Sequence, residues 1–306
     1  MSINRRKFIR YSSAGLAGMA ASGALLGLPG CSFTYREDLP VDKVSLGKTG
    51  LKVPRIAMGT GTSGFRYKSN QSNLGRENFI HLVRHCYEKG IRFMDTADMY
   101  GTHEFVGAAL QELPREKMTI LSKVMVYNQR GWYETEPFEK SLDRFRKALQ
   151  TDYIDILLLH AVVLENWTDE YKHYMDALSE AKQQGIIKAV GVSCHSAGAL
   201  KLASEHPWVE VIMAQINHKG PRMEGPPEVI MPILEKAHHN GKGLIAMKVF
   251  GCGQLVKEEE REASLQYVLH SGNLDCLTLG MENTAQVDDN IERVMRIAKS
   301  SRITDL

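Results

Sequence analysis

Residues 153–192, YIDILLLHAVVLENWTDEYKHYMDALSEAKQQGIIKAVGV, decide the fold. The stretch opens on a short, almost unbroken apolar run from Tyr153 to Leu159. It continues through Thr168 to Gln184 with apolar residues at helical spacing and closes on a second short run, Ile187 to Val192. Short apolar runs fit strands covered on both faces. A helix between two of them carries the chain back to its starting edge, so the strands lie parallel. The unit recurs along the chain. Further strands are expected at Arg55 to Met58, Ile91 to Met94, Met118 to Ser122, Val211 to Ala214, Leu244 to Met247 and Asp275 to Leu279. Helical periodicity marks Glu77 to Glu88, His103 to Glu112, Thr135 to Gln150, Ala197 to Glu205, Glu228 to Asn240, Glu258 to His270 and Ala285 to Lys299.

Eight βα units can close into a barrel with no unpaired edge, so the expected fold is α/β, a (β/α)8 TIM barrel. The segment KVSLGKTGLKVPRI from Lys43 reads as an N-terminal β-hairpin turning at Lys48-Thr49-Gly50, placed to plug the barrel bottom. An open doubly wound sheet competes with this reading, but its G-x-G-x-x-G fingerprint does not follow the first strand, where GTGTSG at Gly59 is a different pattern. With 43% hydrophobic residues, 24% charged residues and a net charge of +2, the chain reads as globular with no pull toward nucleic acid. The cysteines at 31, 86, 194, 252 and 276 form no C-x-x-C pair and no metal-ligand spacing, so no metal is expected.

Ahead of the barrel, NRRKFIRYSSAGLAGMAASGALLGLPGC (residues 4–31) pairs a basic start with an uncharged Ala/Gly/Leu run from Ala14 to Leu28. The run is too short and glycine-rich for a comfortable membrane span and has the layout of an export signal. Arg5-Arg6-Lys7-Phe8-Ile9 resembles the twin-arginine motif, whose translocase carries folded proteins. Leu28-Pro29-Gly30-Cys31 resembles a lipobox. The implied organisation is a twin-arginine signal peptide over 1–30, lipidation and membrane attachment at Cys31, a linker over 31–41 and the barrel over 42–306. The implied location is periplasmic or in the cell envelope.

Active sites of such barrels lie at the C-terminal ends of the strands. There Asp95 follows IRFM with Tyr100 five positions on, Lys123 follows TILS, and His160 closes YIDILLLH. An acid, a phenol, an ammonium and an imidazole at one rim can form a proton-donating device. Lys123 would lower the Tyr100 pKa, Asp95 would orient Lys123, and His160 would donate to a substrate oxygen. A metal-dependent hydrolase would need several convergent ligands, and this rim offers His160 alone.

FMDTADMYGTHEFVGAAL, ILSKV and DILLLH resemble the aldo-keto reductase family, with GVSCHS and MKVFGCG closest in style to its bacterial predicted-oxidoreductase branch; the likeness covers nearly all of 42–299. The resemblance implies Asp95, Tyr100, Lys123 and His160 as the catalytic tetrad of an NAD(P)-dependent reductase acting on a small aldehyde, ketone or sugar. It implies nucleotide contacts at Gly59, Thr60, Asp95, Ser193, Gln215, Lys248, Phe250, Gly251, Gly253, Glu282, Gln286 and Asn290, with Asn217 near the nicotinamide. Backbone N–H groups of Gly251 to Leu255 would receive the diphosphate. The expected cofactor is NADP, with NAD the alternative, because the positions where family members place a cation for the 2'-phosphate hold Gly280 and Gln286. Substrate contacts are expected at Tyr100, His160, Trp132, Tyr133 and Trp167. A competing function is an exported nucleotide-binding redox sensor with little turnover.

Overall fold

The structure is a computed structural model that describes residues 41–126 and 136–304. A hairpin of β1 (Lys43–Ser45) and β2 (Lys52–Pro54) pairs Val44 with Val53 in antiparallel register. Eight parallel strands follow: β3 (Ile56–Gly59), β4 (Phe93–Asp95), β5 (Thr119–Met125), β6 (Ile154–Val162), β7 (Ile187–Cys194), β8 (Val211–Gln215), β9 (Gly243–Met247) and β10 (Cys276–Gly280). They close into a barrel when β10 pairs with β3. The helices on the outside are α1 (Arg76–Glu88), α2 (His103–Leu110), α3 (Phe138–Leu149), α4 (Trp167–Glu170), α5 (Lys172–Gln183), α6 (Ala197–Glu205), α7 (Pro227–His239), α8 (Glu258–His270) and α9 (Thr284–Thr304).

Alternation along each strand separates two cores. Ala57, Phe93, Leu121, Ile156, Leu158, Ala189, Val211, Met213 and Ile245 point inward and fill the barrel. Their outward neighbours, such as Ile120, Leu157, Leu159 and Val190, join the layer under the helices with Phe145, Leu149 and Leu178. The hairpin plugs the interior, as expected: Leu46 and Val53 belong to the inward-facing cluster. Asp275 staples it there, one carboxylate oxygen accepting the Gly47 N–H at 3.1 Å and the Leu244 N–H at 2.8 Å.

Two departures from the sequence reading bear on the site. The single helix expected over Thr168 to Gln184 is two pieces meeting at Tyr171. Strand β6 runs past Leu159 through a register shift, with Ala161 at φ +57°, so the chain kinks where it carries His160.

Candidate active site

The barrel mouth is built by continuing the inward alternation past the apolar layers. Asp95 ends β4, Lys123 lies in β5, His160 in β6, Ser193 in β7, Gln215 ends β8 and Thr278 lies in β10. Tyr100 stands on a short turn, Asp98–Tyr100, that Gly101 ends at φ +67°. The Lys123 ammonium is wholly enclosed, at 0% exposure, and pairs with Asp95 Oδ1. It also donates to the Thr96 carbonyl at 3.0 Å and lies 3.4 Å from the Tyr100 hydroxyl. Asp95 Oδ2 accepts from Thr278 Oγ1 at 2.9 Å. The Tyr100 hydroxyl is 3.5 Å from His160 Nε2, and the two rings stand nearly perpendicular with centroids 5.6 Å apart. The four residues singled out at the rim are therefore one contact group.

Their protonation follows from burial first. Desolvation pushes the Tyr100 phenol above its ordinary value; Lys123 pulls the other way but does not win. Lys123 does lower the phenol as expected, but burial outweighs it and the net shift is upward. Burial alone would lower Lys123, yet the Asp95 carboxylate and the phenol carry it above its ordinary value. Burial, helped by Lys123, His195 and Lys248, holds His160 well below the usual imidazole range. At neutral pH the mouth holds a charged lysine, a protonated phenol and a neutral imidazole.

Behind this group Thr60 Oγ1 bonds the Asp95 carbonyl at 3.0 Å and Thr102 Oγ1 at 2.8 Å, and Thr102 in turn meets Thr96 Oγ1 at 2.9 Å. Buried His103 bonds Ser122 Oγ at 2.8 Å through Nε2.

A cavity of about 420 Å³ opens at Tyr100. Asp95 and Tyr100 line it together with Gly59, Lys248, Phe250 and Gly253, and Glu282, Gln286 and Asn290 also contribute to the wall. These are expected nucleotide positions brought together. Gly253, at φ +88°, has open space where a side chain would start, so its backbone can approach a ligand closely. Ser193 Oγ is buried without a hydrogen-bond partner among the described residues, as a receptor for a ligand's amide would be. The donor set fits a dinucleotide.

Three expectations change. The Thr60 hydroxyl is committed behind Asp95, and the wall there comes from Gly59 and Gly61 instead. Gly251 is buried, leaving Phe250, Cys252 and Gly253 to face the cavity. Trp167 is not a pocket wall. It is 0% exposed, packed against His206 and Trp208, with its indole N–H on the Ala199 carbonyl at 3.3 Å. Trp132 and Tyr133 lie outside the described residues.

Sequence reasoning missed Arg261, Glu224 and His195. Arg261, from α8, lines the same cavity as Glu282 and Gln286, supplying the cation absent from the segment after β10. Its guanidinium pairs with Asp289 and donates to Asn290 Oδ1 at 3.1 Å. Glu224 accepts the Gln215 N–H at 3.1 Å, while its other oxygen is buried without a partner among the described residues. His195 stands beside His160, ring centroids 6.3 Å apart. Its place directly after the GVSC strand end was the available signal.

A sequence model of the Aldo/keto reductase family matches residues 55–304. L-galactose dehydrogenase of Arabidopsis thaliana is 23% identical over 288 residues, covering 83% of this chain and 88% of its own. Glyoxal reductase of Bacillus subtilis is 35% identical over 150 residues, covering 47% of this chain and 46% of its own, so the match spans about half of that relative. A solved aldo-keto reductase from Bacillus halodurans, in its holo form, shares the fold with a TM-score of 0.66 at 21% identity, covering 85% of this chain and 96% of that one.

Proposed function

Because the chain belongs to the aldo/keto reductase family and is an NAD(P)-dependent oxidoreductase, we propose that Tyr100 is its general acid and base, acting on a small aldehyde, ketone or sugar. The observation that carries this reading is the Tyr100 hydroxyl lying 3.4 Å from Lys123 Nζ and 3.5 Å from His160 Nε2, at a cavity lined for a dinucleotide. A bound nicotinamide supplies the hydride. The phenol gives its proton to the substrate oxygen as charge develops there, and the adjacent ammonium stabilises the phenolate left behind. Asp95 keeps that ammonium charged and aimed. Neutral His160 holds the substrate oxygen beside the phenol. The relatives that act on glyoxal and L-galactose support the carbonyl and sugar range.

Carbonyl-dependent NADPH oxidation by the Tyr100→Phe variant tests the role. Loss of general acid catalysis should lower kcat roughly 10²- to 10⁴-fold. Equal rates in both proteins across a broad carbonyl panel would leave nucleotide binding without this chemistry and favour the sensor reading. NADP is the proposed cofactor, supported by the Arg261 guanidinium at the cavity wall, since a phosphate dianion is held by charge-assisted bonds.

The basic start and apolar run of residues 4–31 support export of the folded barrel with its nucleotide already bound, followed by attachment through Cys31. Mass spectrometry of protein purified from the cell envelope should find a lipidated chain starting at Cys31 and retained nucleotide. An unprocessed chain without nucleotide would overturn this part.

A further inference from the structure

Gly61 and Gly64 are the ends of a tight turn after β3, closed by the Gly64 N–H on the Gly61 carbonyl at 2.9 Å. The Tyr100 ring stands against both. A methyl group on Gly61 would fall within 3.0 Å of Cδ2, Cε2 and Cζ of that ring, and one on Gly64 would lie 2.5 Å from Cδ1 and 3.0 Å from Cε1. The two glycines therefore touch opposite edges of the phenol. Neither has a positive φ, so the backbone conformation does not require glycine at either place. The ring does.

The turn is braced from behind. Gln71 accepts the Thr62 N–H at 3.0 Å and donates to Thr62 Oγ1 at 2.9 Å and to the Met281 carbonyl at 3.2 Å. Asn70 Nδ2 donates to Glu282 Oε1 at 2.8 Å. Downstream of the turn, the Tyr67 N–H bonds the Met99 carbonyl at 2.9 Å, pinning this loop to the segment that carries Tyr100. By contrast, the phenol oxygen meets Lys123 and His160 only at 3.4 and 3.5 Å, the long end of hydrogen-bond range. Those contacts cannot fix the ring alone. The oxygen sits at the far end of the side chain, so a small swing of the ring displaces it.

We propose that the Gly61–Gly64 turn is the positioning element for the Tyr100 hydroxyl, gripping the ring from both edges so that the oxygen stays in line with Lys123 and His160. The proposal rests on Tyr100 as the general acid. Gly61 and Gly64 touch the tyrosine and act through it.

Four variants test this: Gly61→Ala, Gly64→Ala, Tyr100→Phe and Gly64→Ala combined with Tyr100→Phe. Each is assayed for kcat in carbonyl reduction, KM for the dinucleotide and thermal midpoint. A misplacement on the order of 1 Å should lower kcat of Gly61→Ala by roughly 10²-fold. KM for the dinucleotide is read on Gly64→Ala, which does not line the cavity, and should change less than about threefold. Gly64→Ala, with the smaller overlap, should lose roughly tenfold and decides the matter if Gly61→Ala does not fold. In the Tyr100→Phe background the added alanine should leave the residual rate unchanged, because no hydroxyl remains to misplace. Wild-type kcat in a folded glycine variant beside an impaired Tyr100→Phe overturns this proposal alone. So does an equal fold-loss in both backgrounds. Wild-type kcat in Tyr100→Phe overturns the general-acid role and this proposal with it.

Discussion

From β10 through β3 to β5 the polar groups of the barrel mouth are bonded to one another, whereas from β6 to the loop after β8 several buried polar atoms have no partner among the described residues. On the first side Lys123, Asp95, Thr278, Thr60, Thr96, Thr102, His103 and Ser122 form continuous chains of hydrogen bonds. On the second, His160 Nδ1, Ser193 Oγ, Glu224 Oε2 and His218 Nδ1 are buried without partners among the described residues. An unmatched buried polar group costs about 1–3 kcal/mol, so a fold that keeps several has a use for them when a ligand arrives. On the proposed function, the first side holds the chemistry preorganised, and the second offers polar atoms for a ligand to meet. Mutations should therefore divide: stability and kcat on one side, ligand affinity on the other.

The largest effect is expected where the first side is most enclosed. Asp95→Asn preserves shape and the bond to Thr278 but leaves the fully enclosed Lys123 ammonium without its counter-charge. Breaking a buried pair from one side costs about 3–5 kcal/mol. Denaturant unfolding should show that loss, and kcat should fall with it. Adding Lys123→Met should return much of the stability and none of the activity, because removing both charges leaves no buried ion unpaired. If Asp95→Asn is as stable as the parent, the contrast between the two sides is wrong.

How far this division was legible depends on what sets each residue's place. Asp95, Lys123 and His160 end apolar runs, and strand alternation alone turns them toward the axis, so period and position sufficed. The hairpin plug was readable for the same reason, since Leu46 and Val53 flank an obvious turn. Thr278 sits in an equivalent place on β10, but a threonine in a strand also reads as ordinary β-propensity. Trp167 was misplaced because an aromatic after a strand end reads equally as pocket wall or core. The break at Tyr171, which turns the indole under α6, has no local marker such as glycine or proline. Gly61 and Gly64 carry no local sequence marker of their role, and only the distant Tyr100 ring explains them.

A middle-sized effect probes the bonded side by pH. Burial holds His103 at about 4, against 6.5 for a free imidazole. Between those values the unfolded chain binds the proton and the folded one does not, so stability rises with pH across that window and is lost as pH falls from 6.5 toward 4. At pH 5 the loss from this one group is roughly 2 kcal/mol relative to pH 7. His195, also held at about 4 by burial, adds the same slope. Glu224, pushed up to about 7 by burial, opposes it, since its proton is bound in the folded state between 4.5 and 7. Denaturation midpoints of His103→Gln and the parent at pH 7 and pH 5 isolate the term: the variant should lose less on acidification. An unchanged difference would remove His103 from the acid-labile group.

The smallest effect tests the cavity wall, and Arg261 is suited to it because its charge reaches the cavity from α8, outside the bonded chains. Its partner Asp289 is partly exposed, so the ion pair itself contributes at most about 1 kcal/mol and Arg261→Leu should melt close to the parent. Its effect belongs to the ligand. A guanidinium that meets a 2'-phosphate makes a charge-assisted bond worth about 1.5–3 kcal/mol, so KM for NADPH should rise roughly tenfold or more. NADH lacks that phosphate and should change less than about twofold, while kcat at saturating NADPH should hold because the phenol and its neighbours are untouched. A matched rise for both dinucleotides would mean that Arg261 shapes the wall through Asn290 without reading the phosphate. Equal use of both by the parent and the variant would instead mean that the site does not discriminate between NADP and NAD. Either way the change should appear in binding while the bonded side keeps its melting point and its chemistry.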